Sequence, residues 1–131
     1  MEQQQTRADH PNATLVRESM EAFNRGDIQS YADFVADDVV WHQLGAETVR
    51  GKQALADAMQ GAEADWKITT KVHDVVANDE HAIALVEATA TRDGGRTLNY
   101  RTAEILHIRD GKLTERWAFS DDTQRIIEFF A

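Results

Sequence analysis

The spacing of the apolar residues changes near Trp66, and this change constrains the fold more than any other feature of the chain. Before it, apolar residues recur every three or four positions, as they do on the buried face of an α-helix. After it they alternate with polar residues in four runs, at 67–77, 81–92, 96–108 and 112–119. Segments rich in Asn, Asp and Gly join these runs and favour tight antiparallel turns. We therefore predict an α+β fold in which an antiparallel sheet curls around the preceding helices.

The residues before this change predict three helices and a short strand. The first helix begins near Asn12 and ends at Gly26, which suits a left-handed helix end. The second helix ends in an acidic turn at 37–38, and a strand at 39–44 and a third helix follow it. We predict a further short helix after the last strand, beginning near residue 120.

Length and charge limit the number of domains and the kinds of partner that this chain can have. Its 131 residues fit one domain, which we place at 12–131, after a polar tail at 1–11 that we expect to be disordered. The net charge of −9 and the lack of a basic run argue against nucleic acid or an anionic membrane as partner. No segment approaches the roughly 20 apolar residues of a membrane helix. The absence of cysteine excludes disulfides and thiol nucleophiles, and we expect a cytoplasmic protein.

The chain carries no motif of a common cofactor. It has neither a glycine-rich phosphate loop nor a dinucleotide fingerprint, because Gly94 and Gly95 belong to a hairpin turn. No two of its five histidines have the spacing of a helical zinc motif. We expect neither a metal nor another cofactor.

Several short segments resemble, in order and spacing, the SnoaL-like branch of the nuclear transport factor two and ketosteroid isomerase superfamily. They are NRGD at 24–27, DDVVWH at 37–42, GK at 51–52 and HIRDGKLTERW at 107–117. The resemblance implies a cone-shaped, curved antiparallel sheet wrapped around three N-terminal helices, with a short C-terminal helix and a small-molecule pocket. It does not imply one reaction, because the superfamily contains isomerases, cyclases, hydrolases, dehydratases and proteins that only bind or dimerise.

The resemblance to ketosteroid isomerases carries over only part of their catalytic set. Those enzymes use one Asp as a base, and a neutral Asp with a Tyr stabilises the oxyanion. The base position falls on Gln43, whose amide cannot abstract a proton, and the Tyr position falls on Ser19. The oxyanion Asp aligns with Glu104, so one of the three groups is kept as a homologous acid.

The resemblance to limonene epoxide hydrolases is incomplete as well. Their acids would fall on Glu87 and Ala118, and the Arg between them on Leu85. The residues that hold the attacking water would fall on Trp41 and Gln43. Neither of the two mechanisms is therefore implied for this chain.

Alternation along the strands indicates which side chains face the concave side of the sheet. With the family alignment it places Glu87 and Glu104 there together, where one carboxyl could stay protonated and act as an acid. The alternative is a structural ion pair with Arg116. The inward sets are Ile83, Leu85, Glu87, Thr89 and Thr91, then Leu98, Tyr100, Thr102, Glu104, Leu106 and Ile108, and on the last strand Arg116, Ala118 and Ser120.

His42 is a further candidate for acid–base chemistry, because imidazole titrates near neutral pH. Alternation gives the inward positions to Trp41 and Gln43 and the opposite one to His42, unless a bulge or the strand end turns it inward. The alternative is a hydrogen-bonded, structural histidine.

The outward face of the last strand predicts a partner surface. Leu113, Glu115, Trp117 and Phe119 are expected there, and two large aromatic residues on a convex face favour burial. Because relatives pair sheet to sheet, we expect a homodimer through Trp117 and Phe119. The alternative is that the C-terminal helix covers them.

Together these observations predict a pocket for a small, mostly apolar organic molecule. Acid–base catalysis of the isomerase, cyclase or hydratase type would fall to Glu87, Glu104 or His42, with Arg116 or Ser120 orienting the substrate. The alternatives are a non-catalytic binding or dimerisation module and, more remotely, an epoxide hydrolase. The remaining substrate-binding candidates are Ser19, Phe23, Tyr31, Trp41, Gln43, Tyr100 and Leu106.

Overall fold

The computed structural model of the protein describes residues 9–62 and 66–131. Most of the predicted tail, residues 1–8, lies outside the described residues. His10 closes the N-terminus of the first helix, because its side chain accepts a hydrogen bond from the backbone N–H of Asn12 at 3.0 Å.

Within the described chain three helices lie before Trp66, as predicted: α1 (Pro11–Asn24), α2 (Ile28–Asp33) and α3 (Lys52–Ala62). Proline suits the first position of α1, where a backbone N–H would have no helical partner. Gly26, with a φ of 72°, separates α1 from α2.

Six strands form one curved sheet, and one helix follows it. The sheet order is β2-β1-β6-β5-β4-β3, with antiparallel pairing throughout except that β1 runs parallel to β6. The predicted α+β fold is confirmed, although the sheet is mixed. The strands are β1 (Val35–Trp41), β2 (Val49–Arg50), β3 (Trp66–Ala77), β4 (His81–Arg92), β5 (Thr97–Arg109) and β6 (Lys112–Ser120), and the last helix is α4 (Thr123–Phe130).

The boundary between α2 and β1 differs from the prediction. Asp37 and Asp38 are exposed residues within β1 and do not form a turn. The strand begins at Val35, which pairs with Leu113 of β6, and its β-branched residues favour extended backbone. The pairing with β6 shifts register between Val35 and Val40, so the two acidic residues occupy an irregular stretch of β1.

The predicted inward face of β4 is wrong. The buried residues are the small ones, whereas Ile83 and Leu85 are 39% and 43% exposed and Glu87 is exposed with them. Ala84 pairs with Glu104 of β5, and directly paired residues share a face of the sheet. Small side chains let the sheet approach α1 closely. The buried set is Ala82, Ala84, Val86, Ala88 and Ala90.

The predicted inward face of β5 is confirmed, and that of β6 holds from Arg116 onward. Leu113, expected outside, is 1% exposed and belongs to the core. The register shift between His107 and Ile108 inserts an extra residue in β6, which turns Leu113 to the inner side.

Trp117 and Phe119 lie on the convex face and are 42% and 56% exposed. The alternative in which α4 covers them is therefore wrong, because the Ile126 and Phe130 side chains of α4 line a cavity instead. Among the helices that the structure describes, none is both long and apolar enough to cross a membrane.

Candidate functional site

The concave side of the sheet and the three N-terminal helices enclose a cavity of about 530 Å³. Its walls are mainly aromatic and aliphatic. Tyr31 packs edge-on against both Phe23 and Trp41, with ring centroids 6.1 Å apart in each pair, and Trp66 packs against Phe130 of α4 at 4.6 Å. Such a cavity suits an organic ligand of modest size.

Two charged side chains meet on the sheet side of this cavity. Arg116 of β6 donates from Nε to Oε1 of Glu104 on β5 at 3.1 Å. The side chains of Glu104 and Arg116 are only 11% and 14% exposed. A charge buried to this degree needs a partner, so each of the two residues depends on the other.

Arg116 is held by two further contacts. Its Nη1 donates to the backbone carbonyl of His42 at 2.9 Å, and its guanidinium lies 4.9 Å from the centre of the Trp41 ring. Within the described part of the chain, Glu104 Oε2 has no hydrogen-bond partner. One carboxylate oxygen is therefore free to meet a ligand.

Tyr31, Tyr100 and Thr102 carry neutral hydroxyl groups and belong to the residues that line the same space. Burial raises the pKa of the Tyr31 phenol, and the negative charge of Glu104 raises it further. The same two causes raise the pKa of Tyr100 to about 12. The Thr102 hydroxyl is buried and lacks a hydrogen-bond partner among the residues that the structure describes. The cavity thus offers neutral hydrogen-bond donors beside one carboxylate.

Seven of the predicted site residues lie together around this cavity. They come from α1, α2, the end of β1, β5 and β6, so the fold gathers side chains that are far apart in sequence. They are Phe23, Tyr31, Trp41, Gln43, Tyr100, Glu104 and Arg116.

Glu87 does not belong to the site. It is exposed on the convex side and pairs across the strands with Arg101, so it cannot share a cavity with Glu104. Leu85, aligned with the arginine of the epoxide hydrolases, is exposed on the same side. The acid–base pair predicted from Glu87 and Glu104 is therefore wrong, whereas the predicted ion pair between Glu104 and Arg116 is present.

Three other predicted ligand-binding residues do not line the cavity. Ser19 is buried in α1 and its hydroxyl donates to the Val16 carbonyl at 2.8 Å. Leu106 packs into the core. Ser120 hydrogen-bonds the Thr123 hydroxyl at 2.6 Å, at the start of α4.

His42 lies on the opposite side of the sheet from the cavity, as alternation predicts. Its Nε2 donates to Glu115 Oε2 at 2.7 Å, and its Nδ1 hydrogen-bonds Thr48 Oγ1 at 3.1 Å. The imidazole stacks on Trp117 with ring centroids 4.0 Å apart. It is thus hydrogen-bonded away from the ligand space and does not act on a ligand there.

The prediction missed further cavity residues on the helices and all of those on β3 and β4. Leu55 and Met59, one turn apart on α3, follow the apolar face of that helix and were detectable by this spacing. Thr102 was on the predicted inward set of β5 but was not singled out. The other residues that were missed include Met20, Ile28, Trp66, Ile68, Val86, Ala88, Ile126 and Phe130.

Within the described residues, no group of three His, Cys, Asp or Glu side chains is placed to hold a metal ion. Among the described residues that line the cavity, Glu104 is the one carboxylate.

Comparison with known proteins agrees with this architecture. A family model described as the SnoaL-like domain matches residues 16–116. An uncharacterized protein of Mycobacterium tuberculosis, Rv0034, is 30% identical over 136 residues, covering 94% of this chain and 98% of that protein. Bal32a, from a soil-derived mobile gene cassette, has a TM-score of 0.85 at 21% identity, covering 92% of this chain and 97% of that one.

A structure described as an LEH-like epoxide hydrolase of Mycobacterium tuberculosis has a TM-score of 0.79 at 16% identity. The alignment covers 91% of this chain and 90% of that one. At these identities the likeness to both solved structures is one of fold.

Proposed function

Because this chain belongs to the SnoaL-like family, we propose that it binds a small, mostly apolar organic molecule in the cavity and exchanges a proton with it through Glu104. The observation that carries the proposal is the placement of Glu104: a nearly buried carboxylate, fixed by Arg116, in a cavity with mainly apolar walls. Acid–base catalysis needs one positioned group that can hold or release a proton next to the substrate.

The buried charges of the cavity favour an uncharged ligand group next to them, whereas the other charged residues of the described lining, Arg25 and Lys67, are exposed. Arg116 is compensated by Glu104, so the buried pair has no net charge to offer to a ligand carboxylate or ammonium group. Moving a further unpaired charge into this space costs several kcal/mol, on the order of the desolvation of a single ion. A neutral molecule with an oxygen acceptor meets no such cost.

The reaction supported best is proton transfer beside a carbonyl group. Glu104 would take a proton from the carbon next to the carbonyl, and the electron pair would move to the oxygen. A hydroxyl of Tyr31 or Tyr100 can donate a hydrogen bond to that oxygen, because a phenol is protonated at neutral pH and burial raises the pKa of each one further. When the protonated Glu104 returns the proton to another carbon of the conjugated system, the product is an isomer. When the enolate carbon instead forms a bond to a second carbonyl carbon of the same molecule, the π-electron pair of that carbonyl moves to its oxygen, Glu104 gives the proton to this new alkoxide, and the product is a ring.

Thermal-shift screening with matched compounds tests the binding step. Each pair consists of a neutral aryl ketone and the carboxylic acid of the same skeleton. We expect the ketone to raise the melting temperature of the protein and the acid to have little effect. Stabilisation by the acids alone would overturn the proposed ligand class.

A non-catalytic binding module is the second candidate, and the Glu104–Arg116 ion pair favours it, because such pairs also serve structure alone. Turnover separates the two candidates. A ketone that binds tightly but is recovered unchanged, with no exchange of its α-protons into deuterated solvent, would support the binding module.

We also propose that the convex face binds a second copy of this chain. Cross-strand pairing places Ile83, Ile105 and Trp117 in one row and Leu85, Ala103 and Phe119 in the next. Four of these six side chains are at least 39% exposed, so the two rows form a continuous apolar surface that a partner would cover.

A further inference from the structure

The His42 side chain is held on three sides although it lies outside the cavity. Each ring nitrogen forms a hydrogen bond, Nε2 with Glu115 and Nδ1 with Thr48, and Trp117 stacks on one ring face. Three groups arranged in this way fix the position of the imidazole closely, since hydrogen bonds and stacking restrict different directions. The His42 side chain does not itself contact Glu104 or line the cavity.

The main chain of His42 is bonded to the cavity arginine twice. Its N–H donates to the Arg116 carbonyl at 2.9 Å, and its carbonyl accepts from Arg116 Nη1 at 2.9 Å. The second bond is one of the two hydrogen bonds that orient the guanidinium, the other being the bond to Glu104. A shift of His42 would therefore move Arg116 relative to Glu104.

The same imidazole joins the two ends of the loop at 43–48. His42 precedes this loop and Thr48 ends it, and the hydrogen bond between them closes the loop at its base. Gln43, Leu44 and Ala46 of the loop line the cavity.

We propose that His42 is a positioning residue, which acts from the convex face and fixes both the carbonyl that orients Arg116 and the loop that borders the cavity. The proposal depends on the proposed function only for the reason why Arg116 must be held in place. The placement of Arg116 can be measured without a ligand.

The test follows hydrogen exchange at the Arg116 Nε–H by NMR, with the signal assigned by its loss in Arg116→Lys. His42→Phe keeps an aromatic ring against Trp117 but removes both hydrogen bonds of the imidazole. We expect exchange to become about tenfold faster or more, which corresponds to the loss of one charge-assisted hydrogen bond. His42→Gln, which keeps a donor for Glu115, should recover part of the protection.

His81→Phe is the matched control, because His81 lies on the same face and packs against His107. It should leave the Arg116 signal unchanged. Unchanged exchange in folded His42→Phe would overturn the proposal, as would equal acceleration in His81→Phe. If His42→Phe does not fold, Thr48→Val decides: faster exchange at Arg116 supports the proposal, and wild-type exchange overturns it.

Discussion

The Thr102 hydroxyl is buried without a hydrogen-bond partner in the described chain, which is uncommon, because buried hydroxyl groups nearly always have one. Thr102 is 8% exposed, and its Oγ1 has no partner within the described chain although it borders the cavity. An unpaired hydroxyl at this place costs stability in the free protein.

Thr102→Val should therefore stabilise the free protein. Removing an unsatisfied buried hydroxyl is expected to raise the free energy of unfolding by about 1 kcal/mol, measured by urea denaturation. Thr114→Val is the control, because the Thr114 hydroxyl donates to the His107 carbonyl and its loss should destabilise. A lower free energy of unfolding in Thr102→Val would show that the hydroxyl is already bonded.

The two tyrosines of the chain, Tyr31 and Tyr100, predict a dependence of stability on high pH. Their pKa values in the folded protein lie above the ordinary value, mainly because burial disfavours the phenolate. The stabilisation from this difference is complete below about pH 10, where an unfolded tyrosine is still neutral, and is lost as the pH rises towards about 12.

Phenolate absorbance measures this directly, with circular dichroism followed in the same samples. We expect almost no phenolate at pH 10 in the folded protein and its appearance together with unfolding. Ionisation of either tyrosine near pH 10, with the fold intact, would place that phenol in contact with solvent.

Among the strands and helices, β4 is one whose bounds the sequence predicts but whose buried face it does not. Its bounds were correct, but both of its faces are apolar enough to be buried, so alternation alone does not choose between them. The choice depends on the pairing of Ala84 with Glu104 and on the close packing of alanines against α1. Glu87 was therefore misplaced, whereas Glu104 was placed correctly because the other face of β5 is clearly the more polar one.

The loop at 43–48 and α4 meet at one glycine. Gly45 has a φ of +70°, and a Cβ added there would lie 2.4 Å from Ile127 Cγ1 of α4. This contact couples the loop to the helix whose Ile126 and Phe130 close part of the cavity.

Gly45→Ala should destabilise the protein more than Gly94→Ala does. Both positions have positive φ, but a Cβ on Gly94 meets nothing within 4 Å. Strain in φ costs about 1–2 kcal/mol at each, and overpacking against Ile127 should add about 1–3 kcal/mol at Gly45 alone. Denaturation by urea measures both, and Ile127→Ala should relieve the added cost. Equal destabilisation of the two variants would mean that α4 does not rest on the loop.

For the whole molecule, the order of most elements was predictable because their boundaries have a local signal, such as Gly26 or the turn at Asp110 and Gly111. The two-residue strand β2 and the start of β1 at Val35 have no such signal and were not predicted. The cavity was predictable only in part. Its charged pair comes from neighbouring strands and followed from alternation, whereas Trp66 and Phe130 meet through tertiary packing that no local pattern records.

The convex apolar surface predicts self-association of the folded chain. Phe119→Glu should weaken the dimer by about 1.5–3 kcal/mol per site, the value of one buried aromatic side chain. Phe119 is preferred to Trp117 for this test because Trp117 also stacks on His42. Sedimentation equilibrium at micromolar protein measures the change. A wild-type chain that sediments only as a 14.8 kDa monomer would exclude the dimer.

The most direct measurement compares the exchange of α-protons of a bound ketone by the wild type, Glu104→Gln and Glu87→Gln. Both substitutions replace a carboxylate by an amide of the same shape, but only Glu104 lies in the cavity. We predict that Glu104→Gln still binds the ketone and loses exchange by about 10²- to 10⁴-fold, the usual contribution of a general base, while Glu87→Gln matches the wild type. Full exchange by Glu104→Gln, or an equal loss in Glu87→Gln, would contradict the role of Glu104.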